Sequence, residues 1–268
     1  MLHLSNGTRW ALRIGTAITL TFIYVPLVVI AIYAFNDSKS QSWPISGLTL
    51  TWFDKAFHNP GVRDALWTSV KAGLGATAIA ILLGTLAAMA VARHRFFGRD
   101  VISFLVILPL ALPGIVTGIA LNTLFTGFLG GLTFFTLVIG HATFCIVVMV
   151  HNASARLRRM SGSVEEASMD LGATPWTTWR LVTFPALRGA LLAGALLAFA
   201  LSFDEIVVTT FTAGPGLQTL PLWIFQNLFR PNQSPIVNVA AAVLVLVSVL
   251  PVYLANRLSG DTAGTTTK

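Results

Sequence analysis

Six long apolar runs decide what this chain can become. They lie at 14–35, 65–92, 101–124, 132–150, 190–212 and 236–255. Each is long enough as a helix, at about 1.5 Å per residue, to cross a hydrocarbon layer of roughly 30 Å. Barrel strands would need an alternating polar face, and these runs have none; a helix satisfies its own backbone polar groups inside lipid. Only 10% of the 268 residues are charged while 55% are apolar, and a soluble domain needs about 25% charged residues to cover itself. An ordinary soluble globule and a disordered chain are both excluded. The expected fold is an all-α membrane protein of six transmembrane helices. The first run is longer than the 7–15 residues of a signal-peptide core and no small-x-small site follows it, so it reads as an uncleaved anchor. The single cysteine, Cys145, leaves no internal disulfide and no cysteine-built metal site.

Charge placement gives the orientation. With the N-terminus inside, twelve of the seventeen lysines and arginines fall on the inner side, among them Arg93, Arg95, Arg99, Arg156, Arg158 and Arg159. The other five, Lys39, Lys55, Lys71, Arg63 and Arg230, fall on the outer side or at outer helix ends. The positive-inside rule therefore predicts cytoplasmic N- and C-termini. The net charge of +7 is a topology signal, and no nucleic-acid partner is expected. The chain divides into a cytoplasmic tail (1–13), a single six-span membrane domain (14–256) and a Thr-rich tail (257–268) expected to be disordered. Outside, the aromatic segment 36–64 reads as an interfacial belt or as a docking surface.

The inner segment 153–187 carries the strongest local signal. Ser163-Val164-Glu165-Glu166 has the form of a capping box, serine at the N-cap and glutamate three residues on. It predicts a short helix over 164–171 with acids at the positive end of its dipole. Gly172 stops it; Thr174-Pro175 starts a second helix, with threonine as cap and proline at the first position, and Pro185 is expected to end it. The product is a helix–glycine–helix elbow that presents Trp176 and Trp179. An amphipathic hairpin lying on lipid headgroups is the alternative.

Glu166-Ala167-Ser168, then Gly172, then Val182-Thr183-Phe184-Pro185 resembles the E-A-A-x3-G-x9-I-x-L-P loop of permease subunits of ABC-type importers. Ser168, Val182 and Phe184 depart mildly from the pattern, and its anchor spacings are intact. The resemblance implies that the elbow between spans four and five is a coupling helix seated in a groove of an ATP-hydrolysing subunit. Glu165, Glu166, Ala167, Asp170, Gly172, Ala173, Pro175 and Pro185 would then be its ATPase-coupling residues. No G-x4-G-K-[ST] phosphate loop exists, since none of Lys39, Lys55, Lys71 and Lys268 follows a glycine. The chain is expected to be no enzyme: it would hold no cofactor, and ATP and Mg would be bound by the partner ATPase.

Two carboxylates, Asp204 and Glu205, interrupt the fifth run. Intramembrane acids are costly and face a pathway or a cationic partner. Asp204 lies roughly 24 Å along a helix from Arg188, in the outer third of the membrane. Adjacent helical residues point about 100° apart, so both reach one cavity only where it is wide or the helix is unwound. A structural salt bridge is the competing role. The stretch from Leu201 through Phe211, Gly214-Pro215-Gly216 and Thr219-Leu220-Pro221 resembles the fifth span and outer loop of spermidine/putrescine importer permeases. So do Arg93–Leu121 and Asn238-Val239-Ala240. A polyamine's positive charges suit such carboxylates, although importers of ferric iron and phosphonates share much of the pattern. Pro109 and Pro113 with Gly114 predict a kink or break in the third span, either a part of the path or its gate, or a packing bend. His141 and Cys145, four apart on the fourth span, are too few ligands for a metal site and read as hydrogen-bonded packing.

The function so implied is that of a multi-pass permease subunit in a bacterial inner membrane, moving a small cationic solute by alternating access. Its partners would be membrane lipid, an ATP-binding cassette ATPase dimer, a second, different permease subunit and an extracytoplasmic substrate-binding protein. An ATP-independent channel or secondary transporter would need no elbow. A membrane-embedded enzyme would need a convergent nucleophile and base, which the sequence lacks.

Overall fold

The computed structural model describes residues 5–230 and 233–261. Among them there is no strand, only an isolated antiparallel bridge between Asn36 and Leu48. Five helices are long and apolar enough to cross a membrane: 6–34, 60–93, 134–159, 175–203 and 235–258. A sixth crossing requires the pair Arg99–Ala111 and Gly114–Phe128, which are bent by 107° at their junction. The elements in chain order are α1 (Asn6–Ala34), α2 (Thr51–His58), α3 (Pro60–Ile79), α4 (Thr85–Arg93), α5 (Arg99–Ala111), α6 (Gly114–Phe128) and α7 (Phe134–Arg159). They are followed by α8 (Ser163–Asp170), α9 (Pro175–Thr178), α10 (Phe184–Phe203), α11 (Val207–Thr212), α12 (Leu220–Asn227) and α13 (Ser234–Asp261). Widened π turns at Ala80–Gly84 and Trp179–Thr183 join α3 to α4 and α9 to α10.

Of the kink or break expected in the third run, the structure has the break, and two other expectations are corrected. Pro109 is accommodated inside α5, whereas Leu112 and Pro113 leave helical geometry and Pro113 becomes the N-cap of α6. A proline disfavours helical geometry in the residue before it, so the break falls at Leu112. The fifth run is not one helix either, because α10 stops at Phe203 and α11 starts at Val207. Finally, Pro185 does not end the elbow's second helix. Its ring would press on the carbonyl of Leu181, four residues back; the π turn that contains Leu181 relieves this, and the helix runs on into α10. The C-terminal tail is helical as far as 261, and 262–268 lie outside the described residues.

The described chain forms two compact units, one from the residues up to Val62 with Ile224–Val243, the other from Arg63–Trp223 and from Leu244 on. In the first, Trp52 is buried with Ala34, Ala56 and Val239. Its indole N–H donates to the Asn36 carbonyl over 2.9 Å. Part of the aromatic segment thus builds a core, while Trp43 and Phe57 stay exposed. The second unit is centred on α7, which packs against α10 and against the π turn after α3. Small residues make the contact close: Ala76, Ala80, Ala88, Ala142, Ala153 and Ala198 share one cluster with Met149, Leu157 and Leu187. In lipid, where apolar surface alone does not drive helices together, such close approach provides the association energy through dispersion.

Gly84 shows how tight this is. A β-carbon there would stand 2.7 Å from Cβ of Met149. Replacing Gly84 by Leu is expected to cost about 1–3 kcal/mol and to lower the unfolding temperature of the detergent-purified protein. Gly15→Leu, where a β-carbon meets nothing within 4 Å, should leave that temperature unchanged.

Candidate functional site: an acidic helix break and a tethered elbow

The break between α10 and α11 places the two carboxylates in different roles. Asp204 is the C-cap residue of α10, and its backbone N–H bonds back to Ala200. Its side chain borders an open cavity of about 390 Å³ lined also by Leu197, Ala200, Leu201, Ser248 and Val252. Glu205 also lines the cavity, but its carboxylate accepts the Val208 N–H at 2.8 Å and so caps the start of α11. The helix is unwound where the pair sits, which lets both adjacent acids border one cavity. A structural salt bridge, the competing role, is not what is seen. Among the described residues the ion pairs are His58–Asp54 and Arg93–Glu165, and Lys71 lies over the ring of Phe134.

Side chains from neighbouring helices hold α11 at both of its ends. Thr136 donates its hydroxyl to the Thr212 carbonyl at 2.9 Å, and Asn122 donates its amide to the Phe211 carbonyl at 2.7 Å. His141 contacts Ser202 Oγ through Nδ1 at 2.7 Å and Thr209 Oγ1 through Nε2 at 2.8 Å. Cys145 points elsewhere, to the Ala198 carbonyl. His141 is therefore hydrogen-bonded packing, as read from the sequence. Its position astride the break had no sequence signal, because Ser202 and Thr209 lie more than sixty residues away along the chain. The break in the third span adjoins the same element: a β-carbon on Gly114 would meet Val207 at 3.2 Å, and one on Gly118 would meet the Phe211 ring at 2.5 Å.

The elbow folds nearly as expected, with one correction. Ser163 is not the cap of α8; it is the first helical residue, Gly162 holds the cap position, and no side chain caps the end. Ser161, two residues earlier, accepts the Ser163 N–H on its hydroxyl at 3.3 Å, and Glu165, the first of the two glutamates, is engaged elsewhere. Its Oε2 is 3.0 Å from Arg93 Nε at the end of α4, and its Oε1 accepts from Thr183 Oγ1 at 3.0 Å. Arg93 also reaches the Met160 carbonyl. A largely buried ion pair, with side chains 20% and 16% exposed, thus ties the elbow to α4 and to the π turn before α10. Gly172 has φ +87°, a conformation that costs other residues about 1–2 kcal/mol. Thr174 accepts the Thr177 N–H and caps α9, with Pro175 at its first turn.

Of the coupling residues singled out from the sequence, Glu166, Ala167, Asp170, Gly172 and Pro175 are exposed. Ala173 is half-buried, Glu165 is turned inward to Arg93, and Pro185 sits exposed at the start of α10. Beside the exposed group stand large apolar side chains, Leu171 at 91% exposure and Trp176 at 67%. Trp176 stacks on Trp179 with ring centres 5.0 Å apart. The arrangement is a rigid, tethered knuckle with an apolar tip.

Comparison with known proteins follows from this geometry. Residues 80–261 match the family described as binding-protein-dependent transport system inner membrane component. The chain is similar to the putrescine transport system permease protein PotI of Escherichia coli (strain K12), 36% identical over 234 residues, 84% of this chain and 82% of that one. It is similar also to the spermidine/putrescine transport system permease protein PotC of the same strain, 32% identical over 241 residues, 90% of each chain. Its fold matches a chain in the crystal structure of a bacterial alginate ABC transporter in complex with an alginate pentasaccharide-bound periplasmic protein. The TM-score is 0.72, coverage is 98% of this chain and 97% of that one, and identity is 14%.

The tether makes a direct prediction. Glu165→Gln leaves Arg93 largely buried without its counter-charge, at a cost of about 2 kcal/mol, between the exposed-pair and buried-pair limits. The elbow should then be cut markedly faster by trypsin at Arg158 and Arg159 in limited proteolysis. Glu166→Gln, at an exposed position, should leave the cutting rate as it was.

Proposed function

Because the chain belongs to the family of binding-protein-dependent transport system inner membrane components, we propose that it is the permease subunit of an ATP-driven importer for a small cationic solute. The solute is a polyamine of the putrescine/spermidine class, moved by alternating access. The observation that carries the reading is the elbow: a stiff two-helix knuckle, tied by Glu165 to α4 and to the entry of α10, with Leu171 and Trp176 bare at its tip. Exposed apolar side chains on a rigid lever fit a protein socket. An ATP-binding cassette ATPase dimer supplies that socket, binds the ATP and Mg, and pushes on the edge formed by Glu166, Ala167, Asp170, Gly172, Ala173 and Pro175. Glu165 and Pro185 pass the push to the spans, Glu165 through its ion pair and Pro185 at the head of α10.

The solute class rests on the acidic break and on the names of the relatives. Asp204 offers a carboxylate to a cavity with no cation of the described chain beside it. Opposite charges about 4 Å apart at an effective dielectric near 20 attract by roughly 4 kcal/mol, which suits an ammonium group in transit. The two E. coli relatives are named for putrescine and for spermidine/putrescine transport. The bends at Pro109, Pro113 and Gly114 serve as the flexible part of the path. A second permease, different in sequence, completes the pathway; an extracytoplasmic binding protein delivers the solute from the side opposite the elbow, and both termini are cytoplasmic.

Uptake into cells that express the complete transporter tests both halves. Asp204→Asn should raise the half-saturating putrescine concentration about tenfold, equivalent to 1.4 kcal/mol, with assembly intact. Leu171→Asp should instead cut uptake and ATPase stimulation together, and Gly172→Arg should uncouple ATPase activity from uptake, both at unchanged solute affinity. Competition by spermidine, putrescine and ferric iron should show the polyamines displacing label and iron failing to. Wild-type uptake in Asp204→Asn together with Leu171→Asp would overturn the proposal.

A further inference from the structure

His141 is wholly buried, and one imidazole ring bridges the two sides of the span-five break. Its Nδ1 meets Ser202 in the last turn of α10, and its Nε2 meets Thr209 in the first turn of α11. The direction of each bond follows from counting protons. Thr209 has a single hydroxyl proton, which it donates to the Glu205 carbonyl at 2.9 Å. Its oxygen must therefore accept from His141, which fixes the proton on Nε2. In the neutral ring Nδ1 is then an acceptor, and the Ser202 hydroxyl donates to it. Ser202 → His141 → Thr209 → Glu205 is thus one directed chain that ends on the backbone of the acidic pair.

No residue of the break itself can do this work. The backbone leaves helical bonding at Asp204 and resumes it at Val207, and Glu205 uses its carboxylate locally to cap α11. The side-chain bridge between α10 and α11 at this point comes from outside, from α7. Asp204 protrudes from the end of α10 into the cavity, so a rotation of α10 against α11 turns its carboxylate away. Phe144, with its ring centre 5.6 Å from that of His141, limits the tilt of the imidazole.

We infer that His141 is a positioning residue for solute recognition: by bridging Ser202 and Thr209 it fixes the geometry of the break and with it the direction in which the Asp204 carboxylate meets the solute. This rests on the reading of Asp204 as a carboxylate of the transport path.

The test uses the assembled transporter with its native partners. His141→Leu removes both bonds at similar volume, and His141→Gln keeps one acceptor and one donor. His141→Leu should raise the half-saturating putrescine concentration on the order of tenfold, the effect of losing about one net hydrogen bond's worth of alignment, with maximal rate per assembled complex nearly unchanged. His141→Gln should recover most of that loss. In an Asp204→Asn background, His141→Leu should add little, since the two act through one contact. A solute-independent readout accompanies these. With Cys145→Ala removing the native thiol, the rate at which a methanethiosulfonate reagent modifies Asp204→Cys should change severalfold when His141→Leu is added. Should His141→Leu not assemble, Thr209→Val cuts the same bridge at its other end and carries the same readouts. A half-saturation and a modification rate both unmoved by the loss of the bridge would overturn the inference. If the modification rate moves while Asp204→Asn leaves uptake untouched, the bridge holds the break as inferred, and it is the assignment of Asp204 to the solute path that falls.

Discussion

A helix broken inside lipid must have every freed backbone group satisfied by protein, because the hydrocarbon offers no hydrogen bonds. The interruption at residues 204–206 meets that demand with side chains close to it: Thr209 donates its hydroxyl to the Glu205 carbonyl and Cys145 its thiol to the Ala198 carbonyl, while His141 reaches both sides of the break through the Ser202 and Thr209 hydroxyls. At the far end of α11, Asn122 takes the Phe211 carbonyl and Thr136 the Thr212 carbonyl. Glu205 satisfies the start of α11 itself. This division of labour leaves Asp204 as the acid available to the cavity. One carboxylate used for capping and its neighbour left uncommitted is an arrangement that two equivalent acids on a straight helix would not produce.

The same economy governs the elbow. A lever transmits displacement only if its base is stiff, and the base here is a bidentate contact between Arg93 and Glu165, shared with the Thr183 hydroxyl. Arg156 adds a bond from the end of α7 to the Ala186 carbonyl at 3.0 Å. Two helical ends and a π turn therefore converge on one small polar cluster, and α9 runs on into α10 without a flexible joint. Displacement of the knuckle has to be felt along the helix that ends at Asp204.

Much of this was legible in the sequence, and the misses have separate physical origins. Apolar run length located the membrane helices well, because the thickness of the bilayer is a constraint that each run answers by itself. Local chemistry also read through: Gly172 adopts the left-handed conformation and Thr174 caps α9. What the runs concealed were the interruptions. Residues 190–212 read as one span although the chain unwinds at Asp204, since the two sides of the break are bridged by His141, which is distant in sequence. Pro185 read as a stop because a π turn that accommodates a proline leaves no local mark. Ser163 read as a cap because the motif fits, but its N–H is taken by Ser161, just upstream, and the helix starts one residue early. Only the break in the fifth run was hidden because its partner comes from another helix.

The two broken spans are also one mechanical unit. Gly114 and Gly118 on α6 lie so close to Val207 and Phe211 on α11 that no β-carbon fits at Gly118 without moving the Phe211 ring, 2.5 Å away. Asn122, one turn further along, bonds the Phe211 carbonyl. Helix α6 begins at the 107° bend after Pro113, and α11 begins at the acidic break. A change of angle at residues 112–113 therefore carries α11 with it, since the glycine contacts leave no room for sliding and the asparagine bond resists separation. The proline–glycine bend and the acidic pair, which look like unrelated features about ninety residues apart in the chain, are two ends of a single packed joint.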